Sequence, residues 1–275
     1  MVAAMAAFAV EDMFLKAAAA TIPIGQAMFW FGLGGCVIFA ILAQRAGDPL
    51  FPHEVIEPTM LVRDVFEIAG RLFFTLAIVL TPLSSATAIL QATPIVVVAG
   101  AALLFGETVG WRRWTAILVG LLGVLVILQP GTDSFTTLSI LAVIGMIGFA
   151  GRDLATRAAP KSLSGRILGV YGFLMIIIAG LGFWSYETAP FVVPTGFAAF
   201  NLAMSSVVGV CAYSSLTMAM RTGDVSSVTP FRYTRLIFGI ALGVLIFGES
   251  LEPQMLLGSA IIVASGLYIL ARSRQ

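Results

Sequence analysis

The chain has 275 residues, of which 59% are hydrophobic and only 11% charged, against roughly 25% charged in a typical soluble domain. A mean hydropathy of +1.03 leaves too little polar surface to cover such a core in water, and a net charge of +1 with no basic run gives no support to a nucleic-acid partner. Cys36 and Cys211 both sit inside apolar runs and His53 is the single histidine, which excludes a disulfide framework and cysteine or histidine metal sites. No metal or cofactor is called for, and the class that remains is an all-α polytopic membrane protein.

A membrane helix needs about 20 mostly apolar residues. Reading apolar runs between turn and charge clusters predicts ten spans: 2–18, 22–43, 61–80, 83–105, 112–129, 136–157, 164–185, 195–220, 225–247 and 254–271. No Lys or Arg precedes the first run, while Glu11, Asp12 and Lys16 lie inside it. A retained first helix is therefore expected, not a signal peptide. The one sizeable loop, 43–59, holds Arg45, Asp48, Pro49, Pro52, His53, Glu54, Glu57 and Pro58 and reads as an exposed linker. Its His53-Glu54 lacks the second histidine of a zinc-protease motif.

With the N-terminus inside, the inner segments hold Arg45, Arg63, Arg112, Arg113, Arg157, Lys161, Arg166, Arg221, Arg272 and Arg274, ten of the fifteen basic residues, and the outer turns hold none. This asymmetry predicts both termini in the cytoplasm and a multi-pass protein of the bacterial inner membrane.

An offset of 142 residues places Ser84-Ser85-Ala86-Thr87 on Ser226-Ser227-Val228-Thr229 and Phe105-Gly106-Glu107 on Phe247-Gly248-Glu249, with nine of 24 positions identical from Ser84 to Glu107. The chain thus reads as two five-helix repeats, 1–131 and 132–275. An odd number of helices forces the second to enter the membrane upside down, an inverted-repeat transporter architecture.

The stretch Leu83-Ser84-Ser85-Ala86-Thr87-Ala88-Ile89-Leu90-Gln91-Ala92-Thr93-Pro94 with Gly106-Glu107 and Trp111-Arg112-Arg113-Trp114 resembles the first repeat of EamA-type permeases of the drug/metabolite transporter superfamily. Pro230-Phe231-Arg232-Tyr233, Phe247-Gly248-Glu249 and Gly266-Leu267-Tyr268 resemble the second. The resemblance covers essentially the whole chain. It implies ten helices and a central substrate cavity reached by alternating access, and it leaves the substrate open.

Charges inside spans are costly and mark function or pairing. Asp12 and Lys16, and Glu67 and Arg71, are four apart and predicted to meet on one helical face; each is either a coupling element or a pair that neutralises itself and locks register. Asp153 is expected to reach Arg157 and not Arg152. Arg232 and Arg235, three apart, have no carboxylate in their span before Glu249. They are expected to line the cavity, with Glu11, Asp12 or a substrate anion as partner, unless Arg232 snorkels to the interface. Thr229 and Tyr233 share their stripe. Thr87 and Gln91 occupy the matching positions of the first repeat, as a polar wall or as interhelical hydrogen bonds. Ser84-Ser85 and Ser226-Ser227 read as helix N-caps, and the Gly-Glu pairs as helix-end structure.

The leading reading is a secondary transporter of small polar metabolites, amino-acid-like or carboxylate-bearing. Its partners are the substrate, membrane lipid, and a proton or another coupling ion that Glu11 and Asp12 are placed to carry. It works as a monomer or homodimer. A lipid-carrier flippase or a channel is the alternative within the same membrane class, and an intramembrane enzyme has no nucleophile–base pair to use. Reporter fusions at Asp133 and Glu187 should read as external and one at Lys161 as internal; an internal signal at Asp133 would overturn the inverted arrangement.

Overall fold

The computed structural model describes residues 1–105, 110–129, 137–160, 162–222 and 229–273, without the side chains of 105, 113, 157, 220–222, 229–230, 269–270 and 272–273. The described residues form helices and short 3-10 turns with no strand. In chain order the helices are α1 (Val2–Ala19), α2 (Ile24–Arg45), α3 (Pro58–Leu80), α4 (Leu83–Leu90), α5 (Thr93–Phe105), α6 (Trp111–Leu128), α7 (Ser139–Ala158), α8 (Gly165–Glu187), α9 (Gly196–Thr222), α10 (Thr234–Phe247) and α11 (Pro253–Ser273). The 3-10 turns are His53–Ile56 and Thr229–Tyr233. All ten spans are present. The fourth is divided into α4 and α5, and the described part of the ninth consists of the 3-10 turn Thr229–Tyr233 followed by α10.

Five stretches are by themselves long and apolar enough to cross a membrane: α2, Leu83–Leu104 (α4 with α5), α7, α8 and α9. Charge is what sets α1 and α3 apart from these. Glu11, Asp12 and Lys16 interrupt one, and Arg63, Asp64, Glu67 and Arg71 the other. Such helices are stable in an apolar slab only when neighbouring helices satisfy their charges.

The helices pack antiparallel in pairs that relate the two halves. Along α2 and α8, Gly25 meets Trp184, Gly32 meets Ile177 and Gly35 meets Phe173. Along α3 and α7, Phe66 meets Gly151, Gly70 meets Gly148 and Phe74 meets Gly145. Along α1 and α9, Phe8 packs near Ala212, Glu11 on Gly209 and Phe14 on Phe200. Along α6 and α11, Gly120 meets Ser265 and Gly123 meets Gly258. Along α4 and α10, Ser84 meets Gly243 and Thr87 meets Gly239. Replacing each span by the one five later leaves this pairing unchanged, as two inverted five-helix repeats require. The expected cut at 131/132 lies outside the described residues.

The α2–α8 pair is clasped at both ends. At one end the Glu187 carboxylate accepts the backbone N–H groups of Ile24 and Gly25 at 3.2 and 2.9 Å, and the Gln26 amide exchanges two hydrogen bonds with the Val192 backbone. These are donors that a helix start leaves without an internal partner. At the other end Asp48 accepts from Ser164 Oγ at 2.6 Å and Arg166 Nε at 2.7 Å, and Tyr171 donates to the Leu50 carbonyl. The hydrogen bonds from Arg166 and Ser164 hold the Asp48 carboxyl below the usual carboxylate range.

Two sequence expectations need correction here. The 43–59 loop is not a free linker: Val55 is buried with Ala43, Met60, Leu163 and Ile167, so its apolar residue docks while its charges face out. Ser84 and Ser85 do not cap α4; the residue at the cap is Pro82. The first two N–H groups of α4, of Leu83 and Ser84, are taken by the Glu249 carboxylate at 2.6 and 2.9 Å, and Ser84 Oγ also donates to it. Glu249 is therefore an inter-repeat cap, a contact no local spacing shows. Glu107 and Ser226-Ser227, its repeat counterparts, lie outside the described residues.

At Gly148 an added Cβ would meet the backbone of Gly70, which has no side chain to move aside. Gly148→Val should therefore destabilise the protein by about 1–3 kcal/mol, read as a lower thermal midpoint in detergent. An unchanged midpoint would show that the α3–α7 contact is looser than described.

Candidate functional site

Between the repeats lies a cavity of about 560 Å³, open solvent included, lined by Met5, Phe8, Arg71, Leu90, Gln91, Thr93, Pro94, Phe149, Arg152, Leu216, Arg232 and Arg235. Its walls come from the first, third and fourth spans and from their counterparts, the sixth, eighth and ninth.

The broken fourth span supplies one wall. Pro94 has no N–H for the Leu90 carbonyl and its ring crowds that turn. The Thr93 hydroxyl takes the vacated role, donating to Leu90 O at 2.6 Å, and Gln91 Nε2 donates to Thr87 O at 3.2 Å. Side chains thus satisfy the interrupted backbone at a cavity, where a membrane protein tolerates such interruption.

Four guanidinium groups supply the polar surface. Arg71 donates to Glu11 at 2.8 Å and Arg235 to Asp12 at 2.5 Å. Arg152 contacts Glu67 at 3.2 Å and Asp153 at 2.9 Å, and Arg232 contacts Asp153 at 2.9 Å. Behind them, buried Arg63 bonds Asp64, Glu67 and the Tyr213 hydroxyl. Aromatic rings fix the guanidiniums: Arg71 lies over Phe31 and Phe149, Arg152 over Phe149, and Arg235 over Phe8 and Phe74, with centres 4.9 to 5.8 Å apart. Five carboxylates face five arginines, so the network is neutral. No carboxylate is among the lining residues: Glu11 and Asp12 are fully buried and Glu67 is 3% exposed. The cavity wall is therefore cationic while the charges behind it balance.

The structure rearranges the expected charge pairs. Glu67 does not pair with Arg71, nor Asp12 with Lys16; Arg71 and Asp12 reach across to other helices instead. On α3 the i, i+4 pair that forms is Arg63 with Glu67, which leaves Arg71 to Glu11 on α1. Arg152 does bond Asp153, because a long guanidinium folds back onto its neighbour; the Arg157 side chain lies outside the described residues. Arg63 is not a free interfacial charge but buried in the network. Lys16 donates to the carbonyls of Ile78 and Thr81 at 2.6 and 2.7 Å and lies 3.7 Å from Glu249. It knots together the bundle end where α1 finishes, away from the cavity.

Of the remaining expected site residues, Gln91, Arg232 and Arg235 line the cavity. Thr87 packs against Gly239 and Tyr233 against Gly266, so both serve helix contact and not the cavity wall. The Thr229 side chain lies outside the described residues. Met5, Phe8, Leu90, Thr93, Phe149 and Leu216 are cavity residues that charge-based reasoning passed over. Arg152 and Asp153 carried a signal, as adjacent charges within a span.

The EamA-like transporter family description matches residues 1–129 and again 136–271. The chain belongs to that family. It is 28% identical over 212 residues to a riboflavin transporter of Rhizobium johnstonii, covering 76% of this chain and 69% of that one. To the pseudopaline exporter of Pseudomonas aeruginosa it is 27% identical over 263 residues, covering 94% and 90%. To an S-adenosylmethionine uptake transporter of Rickettsia felis it is 24% identical over 215 residues, covering 78% and 72%. A solved crystal structure shares the fold, with a TM-score of 0.63 at 16% identity over 96% of both chains. This EamA-family protein is a multi-pass membrane transporter of small molecules and not an enzyme.

Glu67 serves both Arg63 and Arg152. Glu67→Ala leaves two buried arginines short of a partner and should cost about 3–5 kcal/mol, whereas Glu67→Gln, which keeps one acceptor oxygen, should cost less. Thermal unfolding of both purified variants gives the comparison, and equal midpoints would deny Glu67 this charge-neutralising role.

Proposed function

We propose that this EamA-family protein is a secondary transporter that moves small polar, carboxylate-bearing metabolites through the cavity between its two halves, 1–131 and 132–275, by alternating access. The observation that carries the reading is the cavity wall: four guanidiniums, no carboxylate, and a neutralising layer buried behind. Planar guanidinium forks bind carboxylates in a fixed orientation that lysine reproduces poorly. Gln91 adds a neutral donor and acceptor from the broken fourth span, and Phe8, Phe149 and Met5 add apolar surface for the rest of the ligand.

Relatives named for riboflavin, pseudopaline and S-adenosylmethionine support a metabolite carrier whose cargo varies with the cavity lining. Orientation follows the basic residues, with both termini in the cytoplasm of a bacterial cell. In this reading Arg71, Arg232, Arg235 and Gln91 bind substrate, while Thr87 and Tyr233 hold the fourth and ninth spans against their neighbours.

Proteoliposome uptake of labelled amino acids and dicarboxylates tests it. Arg235→Lys should reach the membrane yet lower uptake about tenfold, and Arg232→Ala and Arg235→Ala should abolish it. Wild-type rates in both alanine variants, or no uptake of any carboxylate by the wild type, would refute the carboxylate site.

A further inference from the structure

The cavity arginines differ in what an incoming anion would leave behind. Asp153 contacts both Arg152 and Arg232, and Glu67 contacts both Arg63 and Arg152. If a ligand draws away one arginine, each of these acids keeps another. Glu11 and Asp12 have one cation apiece, Arg71 and Arg235. Both acids are fully buried, and each has a second oxygen with no hydrogen-bond partner, Glu11 Oε2 and Asp12 Oδ1. The Glu11–Arg71 contact is an ordinary ion pair at 2.8 Å.

A substrate carboxylate that binds Arg71 competes with Glu11 for one guanidinium. Without a partner, Glu11 would be an uncompensated charge in an apolar interior, which is far costlier than a neutral carboxyl there. The charged groups facing Glu11 are few. Arg71 comes from α3, Arg235 from α10 and Asp12 from α1 itself, while α9 faces it with Gly209. Arg235 is already committed to Asp12, and Asp12 is itself an acid, so no spare cation stands ready.

We infer that Glu11 is the proton site of this transporter: an anionic substrate takes Arg71, and Glu11, released from it, takes up one proton. The step balances. The substrate brings one negative charge, the proton one positive charge, and the network of five acids and five arginines stays neutral. Anion and proton are then bound together. This rests on the carboxylate site proposed above and adds the ion that must accompany the substrate.

The test uses purified full-length protein in nanodiscs, with phenylacetate as probe. Phenylacetate offers one carboxylate for an arginine and one ring for Phe8 and Phe149, and it stays ionised between about pH 6 and 8. For one linked proton, the wild-type Kd should tighten about tenfold for each pH unit lowered. A pH dye in weakly buffered solution should record one proton taken up per phenylacetate bound. Glu11→Gln, isosteric with the protonated acid, should bind phenylacetate with no pH slope. A pH-independent wild-type Kd with no proton uptake overturns the inference and leaves the carboxylate site standing. A slope that survives in Glu11→Gln overturns the assignment to Glu11. Absence of binding at every pH removes the carboxylate site and this inference with it. The wild-type dye measurement decides the linkage even if Glu11→Gln does not fold.

Discussion

Desolvation of charge governs this molecule. Ten ionisable side chains, five acids and five arginines, are gathered in the interior of a bundle whose surroundings are almost wholly apolar, and an isolated charge there is prohibitively unfavourable. Each is held by a partner on another helix, one turn away or, for Asp64, at the adjacent position. The position of α1 against α3 and α10, and of α7 against α3 and the start of the ninth span, follows from this requirement as much as from apolar packing. In lipid, helix association gains little from the hydrophobic effect, so fixed polar contacts and close backbone approach carry a larger share of specificity.

The close approach is visible in the same pairs. Gly70 and Gly148 let α3 and α7 touch backbone to backbone, and Gly123 and Gly258 do so for α6 and α11. Small residues bring the helices close enough for side-chain ion pairs to span between them. Packing and electrostatics therefore meet along one seam: Gly70 and Gly148 lie beside Arg71 and Phe149, and both of those face the cavity.

Much of this was legible in the sequence. Hydropathy located the spans to within a few residues, because a continuous apolar run has few alternatives in water or lipid. The internal repeat and the odd number of helices predicted the inversion that the antiparallel pairs display. Charges stranded in spans named the right helices. Their partners were another matter. Spacing along one helix speaks only of neighbours on that helix, so it suggested Glu67 with Arg71 and Asp12 with Lys16, where Arg71 and Asp12 make contacts that cross 60 residues or more of chain and Glu67 serves Arg63 and Arg152. Glu249 was read from its local helix end, although it serves the start of α4. Tyr233 and Thr87 were polar on the expected face, but Gly266 and Gly239 opposite them turned that face into a contact. Pro94 was read only as part of a motif, and the folded chain shows both that the span divides there and that Thr93 repairs the break.

The clasp between α2 and α8 has a mechanical consequence. Neither helix contributes a residue to the cavity, and their mutual hydrogen bonds at both extremities would have to be broken for them to slide or splay. They form the keel of the molecule. In the alternating access proposed above, the rearrangement that exposes the arginines first to one solution and then to the other would take place around that fixed spine, in the six spans that line the cavity. Chemistry and rigidity are thus allotted to different helices, and cargo can change by substitution in those six spans without loosening the frame on which they turn.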